Sequence, residues 1–175
     1  ASDVYKRQFF CYPDNVFVYR AEFAKPKDLL RVRAEIPYLG DRSLDEGGRT
    51  GEVKTRGEEI EILGTLPSRD LKYFAKVAVV TDGEKRCENG EISIINALYA
   101  DIYVVFDTSY KLCSEAFSTH KAVGDDPTER VIARLEKALK LSYERLLERH
   151  VADFSSLMNR VEFDLGGKAV SYTHL

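Results

Sequence analysis

The strongest constraint on the fold is a change of hydrophobic periodicity near Gly124. Before this residue, short segments alternate polar and apolar side chains, and after it apolar residues recur at three- and four-residue steps. The first pattern predicts β-strands and the second predicts an amphipathic helix. The predicted fold class is mainly β with an appended α-helical segment. It comprises an antiparallel β-sandwich over residues 9–124, followed by a long linker helix over 125–160.

The strands are expected to be short and joined by tight turns, with no helix between them. The predicted strands are residues 15–23, 28–36, 58–63, 71–80, 85–87, 91–95 and 100–106. Asp82-Gly83 and Asn89-Gly90 are predicted hairpin turns, because such dipeptides tolerate positive φ. Residues 100–106 are nearly all apolar, which is typical of a strand covered on both faces. Strands and turns in this order favour an antiparallel sandwich.

One Gly-rich and charged stretch, residues 43–57, lacks a clear strand pattern. It is predicted to be mostly a long loop, with a short strand at 52–54. Because function concentrates on loops, this stretch is a candidate lining of a binding groove. A solvated hairpin loop is the alternative interpretation.

The helical part begins with a strong start signal. Asp126 is the predicted N-cap, Pro127 occupies the first helical position, and Glu129 can complete a capping box. Residues 126–159 are predicted to form one helix, or two with a bend near His150. A single helix would span roughly 50 Å. That exceeds the width of a small sandwich, so we expect it to pack on something outside the 175 residues.

The two ends are expected to lie outside the protein proper. One possible coding of residues 1–8 (ASDVYKRQ), read on the opposite strand in another frame, yields the residues 170–175 (VSYTHL). Inverted sequencing adapters around an insert would produce this relation, and such tails are excluded from fold reasoning. Residues 161–169 return to strand alternation, and we expect them to lead towards a missing catalytic domain.

Composition narrows the classes of partner. The formal net charge is −3 and there is no basic patch, so a nucleic-acid partner is not expected. No apolar run approaches the ~20 residues of a membrane span. Cys11, Cys87 and Cys113 are interpreted as small hydrophobes, with one disulfide possible if the protein is exported. His120 and His150 lack metal-ligand spacing, so no metal or cofactor site is predicted. Localisation stays open between export and the cytoplasm.

Paired carboxylates are candidates for hydrolysis of a glycosidic bond, which needs an acid of raised pKa and a second carboxyl group. The candidates are Asp82, Glu84, Asp101, Asp107, Asp125 and Asp126. Turn and cap roles explain four of them, while Asp101 and Asp107 lie at the two ends of one apolar strand. Strand ends are wet, so neither is predicted to be catalytic.

A nucleophile–base set is the other candidate. Ser118, Thr119 and His120 lie close in sequence to Asp125, but this stretch is interpreted as the loop before the helix. His150 lies on the apolar stripe, where a histidine more often packs or hydrogen-bonds to a neighbour. The sequence therefore predicts no catalytic, cofactor-binding or metal-binding residue in this chain.

Several segments, taken in order, resemble one family. They are YPDNVFVYR at 12–20, VVTDG at 79–83, TSYK at 108–111, Asp126-Pro127 opening the helix, and RHVADF at 149–154 continuing to Leu165-Gly166. Together they resemble the N-terminal region of glycoside hydrolase family 95 α-L-fucosidases, with Phe154 where the family commonly has Tyr. The resemblance covers nearly all of residues 9–167.

The resemblance implies a β-supersandwich joined by a helical linker to an (α/α)6 barrel of the same chain. It implies inverting hydrolysis of terminal α-L-fucosides of a glycan substrate, by a Glu acid and a water that asparagines and an Asp activate. Those residues belong to the barrel, so none is carried over and the 175-residue chain is expected to be inactive. No cofactor is implied.

Two alternatives remain open. A free-standing carbohydrate-binding sandwich would use Tyr38, Tyr73 and Tyr110 as sugar platforms, since the chain has no Trp. The other alternative is a structural sandwich without a ligand. A long helix with an uncovered apolar stripe argues against both, because an independent module has no use for it.

Overall fold

A computed structural model describes residues 4–37, 39, 48–162 and 166. That part of the chain contains nine strands and three α-helices. The strands are β1 (Val4–Cys11), β2 (Val16–Lys27), β3 (Leu30–Arg33), β4 (Thr50–Arg56), β5 (Glu59–Leu66), β6 (Leu71–Thr81), β7 (Glu84–Glu88), β8 (Glu91–Ile95) and β9 (Ala97–Thr108). The helices are α1 (Ser114–Thr119), α2 (Thr128–Leu139) and α3 (Tyr143–Met158).

The strands form two antiparallel sheets. The larger sheet has six strands in the order β1-β2-β9-β6-β5-β4, and the smaller has three in the order β3-β8-β7. The turn between β7 and β8 has φ values of 51° at Asn89 and 74° at Gly90, which suits a type I′ hairpin. The prediction of a mainly antiparallel β fold with helices towards the C-terminal end is confirmed.

The larger sheet lies between two other layers. On one face, side chains such as Phe9, Val18 and Val105 pack against α2 and α3. On the other face, residues such as Val77 and Ala100 pack against the three-stranded sheet. The molecule therefore has a helical layer, a central sheet and a small outer sheet.

The central position of β9 explains its continuous apolar pattern. Tyr103 and Val105 belong to the core beneath the helices. Ile102 and Val104 pack against the core beneath the three-stranded sheet. The expectation that this strand is covered on both faces is confirmed for these residues, but Phe106 remains 60% exposed.

The short strand predicted at 52–54 lies inside β4, but β4 is longer than predicted, so the loop prediction is wrong for residues 50–51 and 55–56. Thr50–Arg56 pairs with β5 along its whole length, from Thr50 opposite Thr65 to Arg56 opposite Glu59. The strand is polar because it is an edge strand, and charged side chains are common at sheet edges. Hydrophobic alternation cannot reveal a strand of this kind. Residues 40–47 lie outside the described part of the chain.

The single long helix is also wrong. The helical segment breaks between α2 and α3 at residues 140–142, and the bend does not lie near His150. The Ser142 hydroxyl accepts a hydrogen bond from the Arg145 backbone N–H at 3.2 Å, so Ser142 is the N-cap of α3. The helix α2 begins at Thr128 with Pro127 at its N-cap position, one residue later than predicted. Asp126 Oδ1 accepts from the Thr128 N–H at 3.0 Å just before this helix. The break lets both helices lie against the sheet.

Most of the helical apolar stripe is covered by this same chain. Val131, Leu135 and Leu146 are each at most 1% exposed. The expectation that the helical segment needs an outside partner is therefore wrong for α2 and the first half of α3. The later residues of the stripe are exposed: Val151, Phe154, Leu157 and Met158 are between 50% and 57% exposed.

The predicted tails and the last strand have different outcomes. Val4–Gln8 extend β1 and pair with β2, and the adapter origin of residues 1–8 stays a prediction. Val161 and Glu162 are not in a strand. Residues 163–165 and 167–175 lie outside the described part, so the predicted strand at 161–169 and the tail at 170–175 stay predictions.

Candidate functional site

The candidate site is the junction between the helical layer and the central sheet, where buried charges from both layers meet. Its first cluster surrounds Asp14, which lies in a short 3-10 helix (Tyr12–Asp14) between β1 and β2 and has a side chain only 1% exposed. Arg149 of α3 donates from Nε to Asp14 Oδ2 at 2.6 Å and from Nη2 to Oδ1 at 3.3 Å. Lys137 of α2 places Nζ 3.2 Å from Oδ1. One carboxylate thus holds both helices.

The protonation of this cluster follows from its contacts. Burial by itself raises the pKa of Asp14, but hydrogen bonds from Arg149, Cys11 and Lys137 outweigh burial and hold the pKa below its ordinary value. The Cys11 thiol donates to Asp14 Oδ2 at 3.2 Å. The pKa of Cys11 is raised to about 11, chiefly by burial and next by this hydrogen bond. Asp14 is a stable anion and Cys11 a stable thiol, so neither is suited to proton transfer near neutral pH.

His150, next to Arg149, joins α3 to the edge strand. Its Nδ1 lies 2.9 Å from the carbonyl oxygen of Phe10, and since a carbonyl can only accept, Nδ1 donates. The ring stacks on Phe9 at 5.1 Å and on Phe154 at 5.8 Å between centroids. His150 therefore fastens the helix to β1, in keeping with the packing role expected for it.

The second cluster surrounds Arg20 of β2. Its guanidinium donates to both carboxylate oxygens of Asp101 at 2.6 Å and to Glu144 of α3 at 3.0 Å. The Arg20 Cζ also lies 3.6 Å from the ring centroid of Tyr143, a close cation–π contact. Burial raises the pKa of Asp101 and the bonds from Arg20 oppose that rise. The same bonds raise the pKa of Arg20, so it stays charged.

A cleft of about 400 Å³ opens beside this cluster, between the sheet and the start of α3. Glu22 and Tyr99 are among its lining residues, together with Arg20 and Glu144. The Tyr143 hydroxyl is buried without a hydrogen-bond partner among the described residues. Arg20 is the cation among the described lining residues, and Asp101 and Glu144 already bind it.

Asp101 lies inside β9 and is 2% exposed, so the predicted wet strand end is wrong for this residue. Asp107, the second candidate on β9, also binds the helical layer. Its Oδ2 accepts from Arg134 at 2.8 Å and from Arg130 at 3.1 Å, and both arginines lie on α2. Burial raises the pKa of Asp107, but the Thr108 backbone N–H and the two arginines lower it by more than burial raises it. The net pKa is therefore depressed. A carboxylate of depressed pKa is a poor general acid.

The remaining candidate carboxylates have structural roles or lie at the surface. Asp82 Oδ1 accepts from the backbone N–H groups of Leu98 and Tyr99 at 3.0 and 3.2 Å, which stabilises the turn after β6. Glu84 pairs with Arg86 at 3.0 Å. Asp125 is exposed. Of the carboxylates considered from sequence, Asp82 thus stabilises a turn and Asp126 lies at a helix start, while Asp101 and Asp107 bind arginines.

Asp126, just before α2, has a strongly depressed pKa. Hydrogen bonds from Thr128 and Lys72 lower the pKa of Asp126 to about 2. The Lys72 Nζ lies 3.1 Å from Asp126 Oδ2 and so adds a charge to the start of α2.

The Ser118 set does not form a nucleophile–base arrangement. Ser118 and Thr119 lie in α1, which replaces the predicted loop, and both hydroxyls donate to the Glu115 carbonyl, at 3.1 and 2.7 Å. His120 follows with a left-handed φ of 58° and is exposed. Each hydroxyl is directed to its own helix backbone.

A second cavity, of about 310 Å³, lies beside Tyr73 on the opposite face of the sheet. The Tyr73 hydroxyl donates to the Thr50 carbonyl at 2.9 Å, and its ring occupies space left by Gly51 and Gly64. A Cβ at Gly64 would lie 2.4 Å from the Tyr73 oxygen, so glycine is required there. Tyr110 is 52% exposed, and Tyr38 lies outside the described residues.

The thiols, the potential metal ligands and the helix lengths bear on three other kinds of site. Cys11, Cys87 and Cys113 are all free thiols. Over residues 4–37, 39, 48–162 and 166, no group of three or more potential metal ligands converges. No helix in that described part is both long and apolar enough to span a membrane.

The comparison with known proteins gives one relative. No family model matches the chain. The chain is 27% identical over 169 residues to the "Probable alpha-fucosidase A" of Aspergillus niger. The match covers 91% of this chain and 20% of that protein, so the chain spans about a fifth of its relative's length. Over nearly its whole length, the chain is a distant relative of part of a fungal protein with that name.

Proposed function

We propose that this chain is the non-catalytic sandwich and helical segment of a larger glycoside hydrolase that acts on terminal α-L-fucosides. The single observation that carries the proposal is its similarity to part of a probable alpha-fucosidase A. The family 95 pattern, including Arg149-His150 and Asp126-Pro127, supports an inverting enzyme of that family.

The geometry of the junction supports a structural role for this segment. Asp14, Asp101 and Asp107 are held by arginines, and the pKa values of Asp14 and Asp107 are depressed. Burial raises the pKa of Asp101, but this carboxylate is 2% exposed and Arg20 binds both of its oxygens, so it does not face a substrate. A general acid for glycoside cleavage needs a raised pKa, with a second carboxyl group at a suitable distance. In the proposal the acid and the water-activating residues belong to an (α/α)6 barrel elsewhere in the same polypeptide, and the glycan binds there.

A second candidate function is a free-standing carbohydrate-binding module. It is favoured by the burial of most of the helical stripe within this chain, which allows the three layers to fold without a further domain. The cavity beside Tyr73, with Arg49 and Glu35 in its lining, would be the binding site.

The test compares the 175-residue chain with the longer polypeptide encoded by the surrounding DNA. Both are incubated with 4-nitrophenyl α-L-fucopyranoside, and the anomer first released is identified by NMR. The longer polypeptide is expected to release β-L-fucose, and the 175-residue chain is expected to release none. Turnover by the short chain, or a longer polypeptide that ignores α-L-fucosides, would contradict the proposal. Saturable binding of fucose by the short chain would favour the binding module.

A further inference from the structure

The cleft between the central sheet and the start of α3 has an excess of negative charge. Glu22, Asp101 and Glu144 contribute three carboxylates to its lining, and Arg20 is the cation among the described lining residues. The Arg20 guanidinium lies 2.6 Å from Asp101, 3.0 Å from Glu144 and 3.6 Å from Glu22. One cation is thus shared by three carboxylates, and two negative charges of the lining are not balanced by it.

A buried hydroxyl group belongs to the same cleft. Tyr143, the first residue of α3, lines the cleft and is 4% exposed. Its hydroxyl is buried without a hydrogen-bond partner among the described residues. The Arg20 Cζ lies 3.6 Å from the ring centroid, and Phe9 packs edge-on against the ring at 5.6 Å between centroids. A buried hydroxyl group without a partner is unfavourable, so a ligand that hydrogen-bonds to it is stabilised.

Arg7 is a further charge close to this hydroxyl, outside the lining of the cleft. It lies opposite Arg20 on β1, and its guanidinium donates to the Tyr5 hydroxyl at 2.5 Å. Burial raises the pKa of Tyr143, and the Arg7 guanidinium opposes that rise. With Arg7 counted, one carboxylate of the lining is still unbalanced. Arg7 also belongs to the segment that is predicted to be adapter-derived, so it is not counted as part of the site.

Much of the remaining lining is apolar. Val80, Leu139 and Leu141 line the cleft together with the ring of Tyr99. Val80 is 39% exposed, so apolar surface is open to a ligand there. The volume of about 400 Å³ lies in the range of pockets that hold small molecules. A ligand with one positively charged group and a short apolar body would match both parts of the lining.

We propose that this cleft binds a primary ammonium group attached to a short apolar body. An ammonium group has three donors and no acceptor, and the Tyr143 hydroxyl and the carboxylates of Glu22 and Glu144 can accept from it. Its charge offsets the excess of carboxylates, whereas an anion is repelled and a neutral sugar leaves that excess unchanged. The apolar body packs on Val80 and Leu141. The proposal is independent of the proposed function, because no catalytic domain takes part in this binding.

The binding is expected to be weak. The side chains of Glu22 and Glu144 are 46% and 70% exposed, and ion pairs of exposed groups contribute little. We therefore expect a Kd of roughly 1 mM for a small amine.

The test uses benzylamine, which is an ammonium ion at neutral pH, and benzyl alcohol, its neutral analogue of similar shape. Each is titrated into the 175-residue chain, and binding is followed by the NMR shifts of the amides at residues 142–145. Tyr143→Phe removes only the hydroxyl, and Glu144→Gln removes one charge. Glu148→Gln is the matched control, since Glu148 is an exposed glutamate on the same helix and pairs with Arg145.

Benzylamine is expected to shift these amides saturably, and benzyl alcohol to bind at least about fivefold more weakly. Tyr143→Phe and Glu144→Gln should each weaken benzylamine binding by about threefold to tenfold, while Glu148→Gln leaves it unchanged. Tyr143→Phe should fold with an unchanged or higher unfolding free energy, because the hydroxyl has no partner among the described residues.

The absence of saturable shifts, or equal binding of benzyl alcohol, would overturn the proposal. So would unchanged benzylamine binding by Tyr143→Phe or by Glu144→Gln. A clear loss of stability in Tyr143→Phe would also overturn it, since the hydroxyl would then serve the fold and not a ligand.

Discussion

At the residue scale, two of the segments that carry the family resemblance, residues 12–20 and residues 149–154, meet in space. Asp14 of the first segment binds Arg149 of the second across 135 positions, and Phe10 accepts a hydrogen bond from His150 across 140. These residues are therefore explained by the attachment of α3 to the sheet. A short sequence motif can serve packing as well as chemistry, and here its buried carboxylate is an anchor.

The Asp14 anchor gives the first prediction. Asp14→Asn removes the charge that holds Arg149 and Lys137, and loss of one partner of a buried ion pair costs about 3 kcal/mol of unfolding free energy. Because Arg149 is partly exposed, we expect about 2–3 kcal/mol, measured by urea denaturation followed by circular dichroism. The exposed Asp125→Asn is the control and should change stability by less than about 0.5 kcal/mol. Equal effects of the two variants would refute the anchor.

The depressed carboxylate pKa values give the second prediction. The pKa values of Asp14, Asp107 and Asp126 are lower in the folded chain than their ordinary value of 3.8, and that of Asp126 is about 2. A group of lowered pKa contributes stability above its unfolded pKa and loses it as pH falls through its folded pKa. The midpoint of thermal unfolding should therefore be steady above about pH 5 and fall steeply between about pH 4 and 2. A flat profile across that range would contradict these contacts.

Sequence alone could not reveal these contacts. The candidate carboxylates Asp101 and Asp107 were recognisable as unusual because they flank the apolar run at residues 102–106. Their binding partners, however, lie on other elements. Arg20 is 81 positions from Asp101, and Arg134 is 27 positions from Asp107. Only the paired strands and the folded-back helices bring these charges together. The contact of Asp126 with the nearby Thr128 N–H was predictable from the start signal of α2. Asp82 instead binds Leu98 and Tyr99 of β9, and the predicted hairpin at Asp82-Gly83 is wrong because β6 and β7 lie in different sheets.

At the element scale, the accuracy of prediction depended on how each element is stabilised. β2, β5 and β6 were predictable from apolar alternation, β9 from its nearly continuous apolar run, and the β7–β8 turn from Asn89-Gly90. Only residues 52–54 of β4 were predicted as a strand, because its stability comes from backbone pairing with β5 and its side chains are polar. The break between α2 and α3 was missed because the apolar period continues across it.

The capped start of α3 gives the third prediction. Ser142→Ala removes the acceptor for the Arg145 N–H and should lower the unfolding free energy by about 1 kcal/mol. Ser156→Ala is the matched control, because Ser156 is exposed inside α3 and alanine favours a helix interior. That variant should be neutral or slightly stabilising in urea denaturation. If Ser142→Ala behaves like the control, the two-helix arrangement has no cap of this kind.

At the scale of the whole molecule, the helices form the third layer of a compact unit. Both the Asp14 and the Asp107 clusters connect them to the sheet, and Leu135 and Leu146 are buried in the shared core. A long linker projecting from a sandwich was the expectation from sequence. The structure instead places α2 and most of α3 on the sheet and leaves an exposed apolar end at Phe154, Leu157 and Met158.

The central claim is that helices and sheet fold as one unit, and amide hydrogen exchange of the 175-residue chain tests it most directly. The amides around Leu146 in α3 should be protected to the same extent as those of β2 and β9, because packed elements open together. Asp14→Asn should lower the protection of α3 and of the sheet together. Fast exchange throughout α3 beside a protected sheet would contradict the account, since it would mean that the helix projects from the sandwich without packing on it.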